Sequence, residues 1–372
     1  FIDSRERRRI VGEAFVDPLD IVNQKTWNDT ISMHQSNFDT HGYTVHPMFF
    51  IDFPDKASMT AAVPFRALLP RNVDGIIVTG LGMSAHRDAM PVLRMQPCIQ
   101  NQGYAAGVAA ASVSARGVTP RSLDIRKLQR HLVEIGSLPA DVLKHDDSTG
   151  AEIETIRTAV KTVVQDHRGL SILLRNRDQS RPLLAKAHAS AEEPEHRLIY
   201  ANILGMMGDA AGTGTLIDHI RQSDWDQGWN FRGMGQYGGS ISRLDSHIIA
   251  LGQSGSPDAL PVILEKIGTL TSTNEFSHHR SVALACETIG ASAAAQPLAD
   301  LLAREGMSGY AITEIAESDR QEQRSEPLRE IILARALYRC GDHNGLGAKI
   351  LRAYEQDLRG LFAKHAHAVL NE

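Results

Sequence analysis

Two histidines in the first third of the chain have the side chains best suited to acid–base chemistry. His41 and His86 carry imidazole rings, which titrate near neutral pH and commonly move protons in enzymes. Asp39, two residues before His41, either orients that imidazole or caps a turn. The chain holds 16 histidines, so a structural or solvated role is the alternative for each. We take His41 and His86 as the candidate acid–base residues.

Residues 73–115 have a pattern that suits the binding of an anion or an electron-rich ring. The apolar, β-branched run 73–80 predicts a short buried strand that ends on glycine. After a loop, Pro97 predicts the first turn of a helix, because its missing N–H would be unpaired there anyway. The N–H groups and the positive dipole end of that helix would face the crevice. The alternative is a tightly packed core helix, with which its Gly and Ala content is equally consistent.

Charged and sulfur-containing residues leave several interpretations open. Arg66 and Arg94 either hold acidic groups of a ligand or form salt bridges within the fold. The three cysteines are far apart, which predicts neither a disulfide framework nor a metal site. No spacing of metal-ligating residues stands out, and no Gly-x-Ser-x-Gly elbow supports hydrolase chemistry.

Composition limits the class of protein. The chain has 372 residues, of which 42% are hydrophobic and 22% charged, enough for two domains. Its formal net charge of −5 argues against a broad nucleic-acid surface. No apolar run reaches the length of a transmembrane helix. The chain begins with Phe1, which predicts that the natural beginning lies upstream, so the sequence predicts no cellular compartment.

An ordered set of residues resembles a known family. The pattern Arg-x-x-Pro-x-x-x-x-x-Gly-x-Ala-Ala-Gly-x-Ala-Ala-Ala is complete here as Arg94, Pro97, Gly103, Ala105, Ala106, Gly107, Ala109, Ala110 and Ala111. It resembles the C-terminal flavin-binding segment of FAD-dependent oxidoreductases with a glutathione-reductase-like FAD fold. Residues 5–12, 39–42 and 63–70 resemble other segments of that family, so the likeness covers about residues 1–140.

The resemblance implies FAD as the cofactor and assigns residues to it. The implied cofactor-binding residues are Gly80, Ser84, Arg87, Arg94, Pro97, Cys98, Ile99 and Gly103. Backbone N–H groups near Cys98, Ile99 and Gln100 would face the flavin edge that becomes negative on reduction. Many family members have Gly-Arg where this chain has Gly80-Leu81. The positive charge of that arginine is therefore either missing here or supplied by Arg87. The family's Gly-x-Gly-x-x-Gly unit, which holds the ADP part, would precede Phe1.

The resemblance and the residue pattern together predict three segments. Residues 1–72 would be the end of a substrate-binding β region, with the segment around residues 5–12 closing it beside the flavin. Residues 73–145 would be the C-terminal strand, loop and helix of the FAD-binding domain, followed by a helix that stops at Gly136. The polar run 146–150 is the predicted boundary. Residues 150–372 show apolar residues every three to four positions and a loose repeat, which resembles a HEAT-like array of helical hairpins.

The largest insertion in the repeat region is the aromatic, glycine-rich stretch 223–239. Gly233, Gly235 and Gly238 satisfy Gly-x-Gly-x-x-Gly, but no strand precedes them and no βαβ unit surrounds them. A simple loop is one interpretation. The other is that its aromatic residues cover the flavin-side crevice and select substrate. The residues in that hypothesis are Trp225, Trp229, Arg232 and Tyr237.

The predicted fold is an α/β or α+β FAD-domain segment followed by an all-α, HEAT-like domain. The leading functional hypothesis is an FAD-dependent oxidoreductase that transfers hydride from a small organic substrate, carbohydrate-derived ones included, to flavin. Asp39, Arg66 and Trp229 are the candidate substrate residues. The alternative is a non-catalytic helical-repeat module on a flavoprotein remnant. The expected partners are a small-molecule substrate and a protein that binds the helical repeats. We expect the chain to bind neither nucleic acid nor a metal ion.

Overall fold

The computed structural model describes residues 8–54, 58–232, 238–315 and 324–372. The arginine-rich run at 5–7 and the predicted loop residues Gly233, Gly235 and Tyr237 lie outside these ranges. The chain forms two compact units. Unit 1 is Phe1–Ile156 with Leu170–Asn176, and unit 2 is Arg157–Gly169 with Arg177–Glu372.

Unit 1 combines short helices with one small sheet. Its helices are α1 (Pro18–Val22), α2 (Pro47–Ile51), α3 (Met90–Leu93), α4 (Gln96–Arg116), α5 (Ile125–Glu134) and, after α6 (Ile153–Asp166), α7 (Leu170–Arg175). Strands β1 (Thr30–Ser36) and β2 (Met59–Pro64) pair antiparallel, with Met33 opposite Ala62. Helices α3, α4 and α5 pack against β1, which therefore lies at the centre of this unit.

Helix α4 confirms the helix predicted from Pro97. It runs for 21 residues with Pro97 in its first turn and ends at Gly117, which is left-handed with φ +65°. Its buried face is formed by small residues and one glutamine; these are Gln102, Ala105, Ala106, Ala109 and Val113. The small side chains let the helix lie close to the sheet.

The strand predicted at 73–80 is wrong, and part of the predicted β region is helical. The run 73–80 forms no strand among the described residues, and Val73 and Ile76 are 47% and 48% exposed. A strand needs a neighbour for its backbone groups, and here Val78 N donates to Leu68 O at 2.9 Å without a ladder around it. The aromatic run 47–51 is helix α2 instead, because Pro47 and the capping imidazole of His46 start a helix.

Unit 2 is helical in its described residues. Its helices after α6 are α8 (Arg177–Ser190), α9 (Pro194–Met206), α10 (Thr213–Gln222), α11 (Arg243–Gln253), α12 (Ala259–Thr269), α13 (Phe276–Ile289), α14 (Ala295–Leu302), α15 (Ser325–Arg339), α16 (Leu346–Glu355) and α17 (Gly360–Leu370). Helices α9, α11, α13 and α15 pack in that order, and so do α10, α12 and α14.

Helices α9, α11 and α13 contact each other at glycine residues. A Cβ on Gly205 of α9 would lie 2.6 Å from the backbone oxygen of Ala250 in α11. Gly252 of α11 is equally close to Ala285 of α13, with 2.6 Å between its added Cβ and the alanine Cα. Any larger residue would push these helices apart. The paired helices match the predicted organisation, while their assignment to HEAT-like repeats stays a prediction. Within the described ranges, none of the helices has the length and apolar character needed to span a membrane.

Candidate functional site

The amino end of α4 is open to solvent. Its cap residue, Met95, offers no side-chain hydrogen bond to the first turn, and Gln96, Pro97 and Gln100 are exposed. The first turn of a helix has N–H groups without partners inside the helix, and the dipole makes this end positive. An uncapped, exposed helix start can therefore accept an anionic or electron-rich group.

Gly80 is held beside this helix by a buried glutamine. Gly80 has φ +63°, and its N–H donates to Oε1 of Gln102 at 2.6 Å. Gln102 is fully buried, and its Nε2 lies 3.3 Å from Sδ of Met83. A Cβ on Gly80 would stand 3.5 Å from the Ile99 side chain. The structure thus brings Gly80 and Ile99 together. The sequence reasoning missed Gln102, whose signal was a polar residue on an otherwise small, apolar helix face.

Ser84 lies in the loop between Gly80 and α3. It is 1% exposed, and its backbone bonds to two neighbouring segments, with N donating to Ala67 O at 2.9 Å and O accepting from Val16 N at 3.2 Å. A Cβ on Gly12 would lie 2.6 Å from the Ser84 Cβ, so the chain needs glycine at position 12. Ser84 is packed inside the fold, and its contact with a cofactor stays a prediction.

His86 belongs to a cluster with His46, Asp17 and Asp88. The rings of His86 and His46 are 5.2 Å apart and nearly perpendicular. The Asp88 carboxylate accepts the backbone N–H groups of Val45 and His46, each at 2.7 Å. His46 Nε2 lies 3.3 Å from a carboxylate oxygen of Asp17. The sequence reasoning found His86 alone, because its partners are up to about seventy residues away along the chain.

Burial sets the charge state of this cluster. Desolvation lowers the pKa of His86, and the nearby His46 lowers it further, although Asp88 and Asp17 oppose this. Burial alone would raise the pKa of Asp17, but the hydrogen bond from His46 keeps that pKa below its ordinary value. The cluster therefore favours a neutral His86 beside an ionised Asp17 at neutral pH.

A second group contains the other predicted histidine. His41 Nε2 lies 3.2 Å from Oδ2 of Asp39. Arg94, which directly precedes the cap of α4, donates to the backbone oxygen of Asp39 at 2.7 Å and contacts its carboxylate at 3.4 Å. The structure thus brings three predicted site residues together and favours the interpretation of Asp39 as the residue that orients His41. Arg94 connects them to the start of α4.

The remaining predicted cofactor residues occupy different surroundings. Arg87 donates to the backbone oxygen of Tyr43 at 2.8 Å, and its guanidinium lies 5.0 Å from that ring. Cys98, half-buried in the first turn of α4, receives the Gln35 N–H at 3.5 Å from Sγ. Gly103 is exposed, and a Cβ there would meet nothing within 4 Å.

Arg66 lies in an ion-pair network with Asp29 and Asp147. Its guanidinium bonds to Asp29 at 2.9 Å and to both carboxylate oxygens of Asp147 at 2.8 Å. The hydrogen bond to Asp29 is the largest cause of its raised pKa. The contacts favour the salt-bridge interpretation of Arg66, and a role with substrate stays a prediction.

Trp229 is anchored within unit 2. Its backbone N–H donates to the Ser277 hydroxyl at 2.9 Å, its backbone oxygen accepts from Ser277 N at 3.0 Å, and its ring lies 6.0 Å from that of Phe276. Nearby, fully buried His278 contacts Asp245 at 2.8 Å and the backbone oxygen of Asp226 at 3.1 Å. These contacts explain how the loop is held on α13, while substrate selection by Trp229 stays a prediction.

Comparison with known proteins gives a match within the first unit. Residues 2–132 match the family model described as FAD dependent oxidoreductase. This part of the chain is similar to flavin enzymes. The match contains all the candidate site residues except those of the stretch 223–239. It supports a flavin-dependent oxidoreductase with FAD as its implied cofactor over the non-catalytic alternative. No curated protein matches the chain significantly. Within the described ranges, no group of three or more His, Cys, Asp or Glu side chains is placed to hold a metal ion.

Proposed function

We propose that this protein is an FAD-dependent oxidoreductase in which unit 1 holds the flavin at the amino end of α4. The substrate is a small organic molecule, with carbohydrate-derived compounds included, and it transfers hydride to the flavin. We further propose that residues 73–145 belong to a glutathione-reductase-like FAD fold and that residues 150–372 form HEAT-like repeats. The observation that carries the proposal is the exposed, uncapped start of α4 beside Gly80.

The residues at this helix fit a flavin. The exposed first turn presents backbone N–H groups, which suit the edge of the ring that becomes negative on reduction. Added Cβ atoms on Gly103 and Gly107 would meet nothing within 4 Å, so this face leaves room for close approach of another group. Gly80 is fixed by Gln102, which gives the loop beside the helix a defined backbone.

The protein's own residues would orient the reactants and move protons. When bound, FAD supplies the hydride acceptor of the reaction. His86, kept neutral by burial, can donate a hydrogen bond from Nε2 to an oxygen atom of the ligand. His41, hydrogen-bonded to Asp39, is the group that would carry a proton. Arg94 fixes Asp39 with respect to the start of α4.

A single charge at the helix start tests the proposal without destabilising the helix. A carboxylate in the first turn favours the helix itself but repels an anion bound there. For the complete chain, we expect Gln96→Glu to weaken FAD binding by roughly 1 kcal/mol, about fivefold, and more strongly for reduced than for oxidised flavin. Binding is measured by quenching of flavin fluorescence, and affinity for the reduced form by the midpoint potential.

The matched control carries the same charge elsewhere. Gln165→Glu changes an exposed residue of α6 and should leave flavin affinity and potential unchanged. Failure of the wild-type chain to bind FAD would contradict the proposal. Equal effects of the two substitutions would show that the flavin is bound away from the start of α4.

A further inference from the structure

The hydrogen bonds around His86 determine which ring nitrogen carries its proton. The backbone N–H of Asp88 points at Nδ1 of His86 with 3.0 Å between the nitrogens. A backbone N–H is always a donor, so Nδ1 must be the acceptor and the neutral ring carries its proton on Nε2. Within the described part of the chain, no protein group is hydrogen-bonded to that Nε2. Its N–H is therefore available to a ligand.

His46 has the same tautomer but uses its proton differently. Nδ1 of His46 accepts the backbone N–H of Met48 at 3.2 Å, so its proton is also on Nε2. That Nε2 lies 3.3 Å from Asp17, which is the acceptor for it. Of the two adjacent imidazoles, His46 directs its N–H to a protein carboxylate, whereas His86 keeps its own for another acceptor.

Asp88 joins the two histidines. Through its backbone N–H it fixes the tautomer of His86, and through its carboxylate it holds the backbone of Val45 and His46. Asp88 is 3% exposed, so these hydrogen bonds are shielded from water. The other groups that face His86 are the Phe15 ring at 6.3 Å, and the charges of Asp17 and Arg9.

We propose that Asp88 and the Asp17–His46 pair are positioning residues that hold His86 with its proton on Nε2, as a hydrogen-bond donor to an oxygen atom of the bound ligand. The ligand group is a carbonyl, carboxylate or alkoxide oxygen, because each of these accepts a hydrogen bond from an N–H. This ligand role rests on the proposed oxidoreductase function, whereas the tautomer is a property of the protein alone.

Nitrogen-15 NMR of histidine-labelled complete chain tests the proposal, with the His86 signals assigned by their loss in His86→Gln. We expect a protonated Nε2 and an unprotonated Nδ1 for His86 around neutral pH, without averaging. His196, whose ring has no hydrogen bond within the described residues, gives the averaged signals for comparison. An Nδ1-protonated or averaged His86 would overturn the proposal.

Two substitutions at position 88 separate the backbone from the carboxylate. Asp88→Pro removes the N–H that contacts His86, and we expect the His86 signals to become averaged. Asp88→Ala keeps that N–H and should keep the proton on Nε2. Identical tautomers in the two variants would contradict the assigned role of the backbone N–H.

The role of His46 is tested with a substitution that preserves the fold. Asparagine is a good cap, so His46→Asn still caps α2 but removes the imidazole beside His86. The nearby His46 lowers the pKa of His86, so the titration midpoint of His86 should rise in His46→Asn. Asp88 raises that pKa, so the midpoint should fall in Asp88→Ala. An unchanged midpoint in both would refute the positioning role. If the chain binds FAD but His86 lacks the fixed tautomer, this inference alone is refuted. If His86 has the fixed tautomer but the chain does not bind FAD, only the proposed function is refuted.

Discussion

Replacement of Gln102 by methionine should loosen the loop at Gly80 without leaving a cavity. Methionine has a similar length and volume but offers no strong acceptor, so the buried N–H of Gly80 loses the partner that it now has at 2.6 Å. A buried, unpaired N–H costs about 1–3 kcal/mol. Because the side chain of Gln102 is fully buried, water cannot replace the lost bond from that side.

Urea unfolding with a tryptophan confined to unit 1 measures this effect. Trp27 is 6% exposed in unit 1, and replacing Trp225 and Trp229 with phenylalanine leaves it as the reporter. With a slope of about 2 kcal/mol per molar urea, the loss corresponds to a midpoint lower by about 0.5–1.5 M. Gln100→Met is the matched control on the exposed face of the same helix and should change stability by less than about 0.5 kcal/mol. If Gln102→Met is no more harmful than this control, the clamp on Gly80 does not contribute to stability.

Further predictions concern backbone strain and the buried ion pair of unit 2. Gly80→Ala places a Cβ at φ +63° and should destabilise unit 1 by about 1–2 kcal/mol, as measured by the Trp27 signal. His278→Ala leaves the buried Asp245 carboxylate without its 2.8 Å partner and should cost about 3–5 kcal/mol in unit 2, whereas the exposed His367→Ala should cost less than about 1 kcal/mol. Burial alone would lower the pKa of His278 and raise that of Asp245, but their hydrogen bond outweighs it and shifts both in the opposite directions. The stabilisation is therefore complete between pH 3.8 and pH 6.5, the ordinary pKa values of an aspartate and a histidine. It declines as the pH rises through the raised pKa of His278. Unfolding of unit 2 at a series of pH values checks this, and a flat profile above pH 6.5 that His278→Ala does not alter would contradict it.

Local sequence signals predicted the helical parts of the fold. Pro97 marked the start of α4, and glycine marked the ends of helices in unit 2, as at Gly290 with φ +65°. These features depend on neighbouring residues, so the sequence pattern contains the information. The prediction of a strand at 73–80 was wrong because it used only the apolar pattern of the run. Whether a strand forms also depends on a partner that is distant in the sequence.

The site was predictable only in part for the same reason. His41 and Asp39 are two residues apart, and their contact follows from that spacing. The cluster around His86 depends on His46 and Asp17, which approach through tertiary folding. Gln102 looked like an ordinary polar residue of a helix until its burial was known.

Alkylation of Cys98 tests the central claim most directly. Cys98 is the half-buried thiol in the first turn of α4, while Cys286 and Cys340 are 0% and 2% exposed, so an added thiol reagent reports on this helix start. The account predicts that FAD slows the modification of Cys98 in the native chain in proportion to the fraction of protein bound. Saturation with FAD that leaves the alkylation rate unchanged would contradict it.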